Sequence, residues 1–216
     1  DPFAGGSARA VVAELLGYKY TGIEIRPEQI EANEQQAKQI GISPQYILGD
    51  STKLLKLLPH ETMYDLVFTC PPYYDLEMYS DVLDHMGDMS VYQSYFSFMI
   101  WYELVFKQCV ARLKNNRFLV VVVGDIRDKK GVYRGFVADS IACFSKLGLL
   151  FYNEAILVTS VGSLPIRVIH ESRHNRKLGK THQNILVFYK GNPDKIKGIF
   201  GETQVDEDYE EIQGNK

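Results

Sequence analysis

Residues 66–75, Leu66-Val-Phe-Thr-Cys-Pro-Pro-Tyr-Tyr-Asp75, read as a buried apolar strand running directly into a rigid Pro-Pro-aromatic turn. Two consecutive prolines fix φ at Pro71 and Pro72 and restrict Cys70 to an extended conformation. The Pro71 carbonyl then points one way, with the Cys70 side chain beside it and the Tyr73 ring just beyond. Such a turn is suited to holding a flat amine against an electrophile. The exocyclic amine of a nucleobase is a poor nucleophile because its lone pair is delocalised into the ring. Acceptors on its two N–H groups draw the nitrogen toward tetrahedral geometry, while an aromatic face stacks on the base. No strong general base is required, since the alkylated amine is itself strongly acidic. An ordinary loop after a strand is the bland reading of the same residues, and the rest of the chain decides between the two.

The start of the chain adds weight to the chemical reading. Asp1-Pro-Phe-Ala-Gly-Gly-Ser7 is a glycine-rich turn, followed by a helix-forming stretch over 8–16 and a strand over 18–25 that carries a carboxylate at Glu24. Glycines at such a turn let backbone N–H groups approach a ligand, and an acid about 20 positions later can accept both ribose hydroxyls. The G-x-G-x-x-G spacing of the dinucleotide fingerprint is absent. A third strand, 45–48, ends at Gly49-Asp50-Ser51, where a carboxylate can receive the amino group of an adenine.

These segments stand in the order seen in S-adenosylmethionine-dependent amino-methyltransferases of DNA. Gly124-Asp-Ile-Arg-Asp-Lys-Lys-Gly131, Gly162-Ser-Leu-Pro-Ile-Arg167 and Lys177-Leu-Gly-Lys-Thr-His-Gln-Asn-Ile-Leu-Val-Phe188 resemble the phage- and prophage-type members of the N4-cytosine/N6-adenine class more closely still. The likeness runs over residues 1–195. It implies a Rossmann-like α/β sheet, mostly parallel with an antiparallel terminal pair. It also implies S-adenosyl-L-methionine as cofactor and DNA as partner. By the same likeness Asp1, Phe3 and Gly5 hold the methionine end of the cofactor, Glu24 its ribose and Asp50 its adenine, with Thr69 beside them. Cys70, Pro71, Pro72 and Tyr73 form the turn that receives the target base.

The chain departs from that family at two points. Its turn opens with Cys70 where the family has Asp, Asn or Ser, so a weak sulfur acceptor replaces an oxygen and the Pro71 carbonyl carries more of the burden. The strand that leads into the glycine turn in the family does not precede Asp1 in this sequence. The expectation is a sheet lacking its first strand, in a fragment of a longer protein. Cytosine can also be methylated at carbon 5 through a cysteine thiolate, but those enzymes present the cysteine after a proline. Cys70 precedes Pro71, so it is expected to shape the pocket without bonding to the base.

Net charge narrows the partner. Residues 201–216 hold six acids and one base, a net of −5, which leaves +2 on the remainder of a −3 chain. Domain organisation is read as one methyltransferase domain over 1–200 and an acidic, disordered tail over 201–216. Arg167, Arg173, Arg176, Lys177 and Lys180 cluster against the single acid Glu171. They are the expected phosphate contacts, with Tyr74 beside the base turn; a solvated surface loop is the bland alternative. The three cysteines, Cys70, Cys109 and Cys143, form no close pair, so neither a metal site nor a disulfide framework is expected. No apolar run approaches a membrane span, and a reducing, cytoplasmic setting follows.

Strand and helix alternate along the rest. Helices are expected at 27–40, 52–58 and 91–113 and in a stretch ending near 147–148, with strands at 64–69, 118–123, 149–158 and 184–189. The last two strands have no helix between them and should pair antiparallel. Tyr92, Tyr95, Phe96, Phe98, Trp101, Tyr102 and Phe106 recur at helical spacing and read as core. Asp1, Glu24, Asp50 and Cys70 all fall at carboxyl ends of strands, where ligands of such sheets sit. A DNA amino-methyltransferase leads the functional readings. An RNA-base or protein-glutamine N-methyltransferase and a non-catalytic module of the same fold are the alternatives. No large target-recognition domain is visible, so recognition is limited or comes from an upstream domain or a partner.

Overall fold

The computed structural model describes residues 1–74, 94–160, 162 and 174–202. Helix α1 (Ala8–Leu15) leads to strand β1 (Thr21–Glu24), and α2 (Pro27–Ile40) to β2 (Gln45–Leu48). A 3₁₀ turn (Ser51–Lys53) and α3 (Leu54–Leu57) precede β3 (Tyr64–Thr69). Then come α4 (Tyr95–Arg112), β4 (Leu113–Val123), α5 (Phe136–Lys146), β5 (Leu150–Val158), β6 (His182–Lys190) and the short α6 (Ile196–Phe200).

The strands form two sheets, β1-β2 and β3-β4-β6-β5. Pairs β1/β2 and β3/β4 are parallel, while β6 runs antiparallel to both of its neighbours. Three of the four strands in the larger sheet therefore share one direction. The expected antiparallel terminal pair is β5/β6, in register from Leu150↔Tyr189 to Val158↔His182.

The glycine turn bridges the two sheets in space, Asp1 bonding β1 on one side and Thr69 of β3 on the other. Asp1 lies alongside β1, donating its backbone nitrogen to the Thr21 carbonyl and accepting from the Ile23 amide, and Ala4 donates to the Ile23 carbonyl. Beneath Asp1 the facing edges are separated by a cleft whose walls include Ile23, Leu54, Leu58, Val67 and Cys109.

The core sits where α4 and α5 cover one face of the larger sheet. Helix α4 buries Phe98, Trp101, Tyr102, Val105, Phe106, Cys109 and Arg112, a stripe at three- and four-residue spacing. Strand alternation brings Leu119, Val121, Val123, Leu186 and Phe188 to that face. Rings interlock across the layers, with Phe106 and Phe188 at 4.7 and 4.6 Å from Phe144. Burying each such ring stabilises the fold by about 1.5–3 kcal/mol. On the opposite face Phe118 meets Phe200 of α6 at 5.3 Å.

Several boundaries differ from the sequence reading, each for a local reason. The strand expected over 18–25 shortens to Thr21–Glu24 because Gly17, at φ 81°, turns the chain back onto α1. There the Tyr18 amide bonds the Ala13 carbonyl and the Tyr20 amide bonds the Glu14 carboxylate. The helix expected over 52–58 is split into the 3₁₀ turn and α3. Strand β4 begins at Leu113 and not at Phe118, because polar Lys114, Asn115 and Asn116 are carried in a bulge between Tyr64↔Leu113 and Leu66↔Phe118. Asn116 adopts φ 59° within it. Helix α4 is described from Tyr95, capped by the Ser94 hydroxyl on the Ser97 amide; residues 91–93, and Tyr92 among them, lie outside the described residues. Phe96, expected in the core, is 74% exposed on the outer face of α4.

Candidate active site

The glycine turn is held from all sides. Asp1 Oδ1 accepts from the Phe3 amide at 3.0 Å and from Thr69 Oγ1 at 2.7 Å. Its Oδ2 accepts from Arg9 Nε at 2.7 Å and Tyr20 Oη at 3.0 Å. The turn's carbonyls are also satisfied: Ser51 Oγ donates to Pro2, Arg9 Nη2 to Phe3 and Ala4, and Asn33 Nδ2 to Gly5. A loop whose carbonyls from Asp1 to Gly5 are all engaged keeps one shape. The Phe3 ring turns inward onto Trp101, 5.4 Å between centroids.

Glu24, 7% exposed at the end of β1, closes the other side. Its Oε2 accepts from the Gly5 amide at 2.8 Å, and its Oε1 from the amides of Ile25 and Arg26 at 3.1 and 3.0 Å. Arg26 Nε reaches the same oxygen at 3.4 Å, the longest of the set. Asp50, after β2, caps the 3₁₀ turn through the Thr52 amide at 2.8 Å and the Thr52 hydroxyl at 2.6 Å. Gly5 takes φ 52°, and the Cβ direction of Gly6 meets nothing within 4 Å, so the turn faces open space.

The Thr69–Asp1 bond brings the second element into register. Thr69 is fully buried at the end of β3, and the residues after it form the proline turn beside the glycine turn. Pro71 is buried; Cys70, Pro72, Tyr73 and Tyr74 are half-buried. Tyr73 packs edge-on to Phe136 at 6.0 Å, and its hydroxyl accepts a 2.7 Å bond from Gln183 Nε2. Tyr74, expected at the nucleic acid, is half-buried and packs on Tyr95 and Phe98, and the Arg134 guanidinium lies 4.9 Å above its ring. The Tyr95 hydroxyl donates to Asp139 at 2.6 Å, and burial together with that carboxylate pushes the phenol well above its usual range.

No protein-family model matches the chain. Over 74 residues it is 32% identical to a tRNA (guanine(10)-N2)-dimethyltransferase of Pyrococcus abyssi (strain GE5 / Orsay), a match that takes in 34% of this chain and 22% of that protein. The chain thus spans 22% of the length of the curated relative it matches. Among solved structures, TrmN from Thermus thermophilus superposes with a TM-score of 0.55 at 13% identity, covering 88% of this chain and 42% of that one. A methyltransferase from Pyrococcus furiosus gives a TM-score of 0.51 at 15% identity, covering 85% of this chain and 69% of that one. The fold is that of Rossmann-like methyltransferases.

In this methyltransferase fold the strand ends converge as the sequence led one to expect. Glu24 meets the glycine turn through Gly5, Asp50 through its neighbour Ser51, and the proline turn through Thr69. The residues expected at phosphates divide. Arg176 is exposed, and Lys177 and Lys180 are half-buried, on the segment before β6. Arg167 and Arg173 lie outside the described residues, as does the tail from 203. Sequence reasoning missed Arg9, Asn33, Arg134 and Gln183, each of which acts on a partner distant in the chain or on a backbone carbonyl. Only Gln183 lay within a quoted motif, in Thr181-His-Gln-Asn184, and nothing local marks its target. Among the described residues no helix is long and apolar enough to cross a membrane.

Proposed function

We propose that this chain is an S-adenosylmethionine-dependent methyltransferase that acts on an exocyclic amine of a DNA base, adenine N6 or cytosine N4. The observation that carries the reading is the Thr69–Asp1 bond at 2.7 Å, which sets the glycine turn beside the Cys70-Pro-Pro-Tyr73 turn at the carboxyl end of β3. The residues fit the cofactor: an open-faced glycine turn lies beside a buried strand-end acid. Asp1 shapes the turn that takes the methionine end. Glu24 would hold the ribose by exchanging its long Arg26 Nε bond for a hydroxyl, and Asp50 lies on the adenine side.

Bound S-adenosylmethionine supplies a methyl group on a sulfonium. The Pro71 carbonyl and Cys70 Sγ accept from the two N–H groups of the target amine and localise its lone pair on nitrogen. Tyr73 stacks on the base, which must first leave the helix because its amine is enclosed in the stack. As the N–CH₃ bond forms, the S–CH₃ bonding pair returns to sulfur. The alkylated nitrogen then loses a proton through the same turn.

A second reading, a tRNA base as substrate, is favoured by one observation, the 32% identity over 74 residues to a tRNA guanine-N2 enzyme. Exocyclic amine chemistry is common to both. Methyl transfer from labelled cofactor to duplex DNA, tRNA and protein, followed by nucleoside analysis, separates them. N6-methyladenine or N4-methylcytosine in DNA is the expected product. Label on tRNA alone would establish the second reading, and label on none would leave a non-catalytic module.

A further inference from the structure

Beyond the site itself, the loop between β4 and α5 forms a small closed hairpin with a net positive charge. Arg127 bridges to Tyr133, the Asp128 amide bonds the Val132 carbonyl at 2.8 Å, and the Arg134 amide bonds the Ile126 carbonyl at 2.9 Å. Its acids are turned onto backbone. Asp128 Oδ1 accepts from the amides of Lys130 and Val132 at 2.9 Å each, and Asp125 Oδ1 accepts from the Val137 amide at 3.1 Å, capping α5. Asp139 is engaged by Tyr95. Lys129 and Lys130 are exposed at the tip, and Arg127 is fixed by one bond to the Gly131 carbonyl at 2.7 Å and by stacking 3.8 Å over Tyr133.

Two contacts tie this hairpin to its surroundings. On one leg Arg134 lies over Tyr74, next to the base turn. At the tip, the Lys177 side chain crosses Gly131 so closely that a Cβ there would stand 2.3 Å from Cε and 2.8 Å from Nζ. Gly131 has φ 86°, which favours glycine, while a Cβ there would push the flexible Lys177 end aside. The basic segment before β6 is thereby laid against the hairpin. Residues 124–134 carry a net of +2 and residues 174–180 a net of +3. Cations on adjoining loops repel one another until a polyanion neutralises them and releases its counterions.

We propose that Arg127, Lys129 and Lys130 form a phosphate-contacting ledge for duplex DNA that continues the Arg176–Lys180 surface to the edge of the base turn. The ledge rests on the DNA reading above. It fixes where the strand runs when a base enters beside Tyr73. Arg127, already held in place over Tyr133, loses little further conformational entropy on meeting a phosphate.

Fluorescence anisotropy of the full chain with a 30-bp duplex, titrated from 50 to 200 mM salt, tests this. Lys129→Ala with Lys130→Ala should flatten the slope of log K against log salt by about two units, irrespective of DNA sequence. Replacing both lysines by Arg should restore the slope. An unchanged slope in the double Ala variant, or a parent protein without affinity for duplex, overturns the ledge. A slope that changes only with tRNA overturns the assignment to DNA. Methylation by the parent is measured separately. DNA binding that depends on the ledge, without methyl transfer, would refute the proposed reaction while the ledge stands.

Discussion

Gln183 on β6 donates a 2.7 Å hydrogen bond to the hydroxyl of Tyr73, 110 residues earlier in the chain. Gly124, at the end of β4, lies between them, its Cβ position 3.6 Å from Tyr73 Oη and 3.9 Å from Gln183 Cγ. With Phe136 at its edge, the Tyr73 ring is held from two directions, which is what a stacking surface for an extruded base requires. On the proposed reaction, Gln183 is a positioning residue for that ring.

Gln183→Leu should cost about 0.5–1.5 kcal/mol in base capture. It should raise KM for nucleic acid more than it lowers kcat. Tyr73→Phe removes the same bond from the other end, so the two changes together should cost little more than either alone. Full additivity in a double-mutant cycle would show that the bond does not act on the ring.

Glu24→Ala should weaken cofactor binding by about 1–3 kcal/mol, since hydrogen bonds to the ribose are lost. Glu24 also latches the turn through the Gly5 amide, so the variant should melt earlier even without cofactor. Calorimetric titration and thermal melts measure the two effects. Unchanged affinity with a lowered Tm would leave Glu24 a latch and nothing more.

The three cysteines should separate cleanly toward a thiol reagent. Burial pushes the thiols of Cys109 and Cys143 up to about 12, so both stay protonated at pH 8, whereas Cys70 is half-buried on the turn. A disulfide reagent on the native chain should therefore modify Cys70 first. Cys70→Ser places an oxygen acceptor of similar size at the turn and should keep or raise activity, while Tyr73→Ala should lose about 1–3 kcal/mol of stacking. An inactive serine variant, with a covalent adduct trapped on 5-fluorocytosine DNA by the parent, would refute amino-methylation.

Hairpin order should fail on the acid side only. Backbone amides, that of Val132 foremost, hold the Asp128 carboxyl below its usual value of 3.8. The charged form is thus favoured by folding. Its contribution is complete above the unfolded value and is lost as pH falls through the lowered one. Hydrogen-exchange protection of the Lys130 and Val132 amides, corrected for intrinsic rates, should hold to about pH 4 and fall beneath it. Asp128→Asn should lose that pH dependence.

Much of the frame was legible before any tertiary contact was known. The order of strands and helices follows from local periods, the strand ends from glycine and proline, and the strand-end placement of Glu24, Asp50 and Cys70 from both. Where the pattern was polar, as at Lys114-Asn-Asn116, the strand was missed, because a bulge is stabilised by its neighbours across the sheet and not by its own residues. Sequence alone thus determined which chemical groups stand at one edge of the sheet. Tertiary structure decided what each group touches. Asp1 and Glu24 look like free ligands in the sequence, yet every oxygen they carry accepts a bond within the fold. The pairings Gln183–Tyr73 and Lys177–Gly131 join residues whose separation in the chain exceeds any local period. They depend on strand order and register, which arise only when the buried faces of the sheet and helices come together.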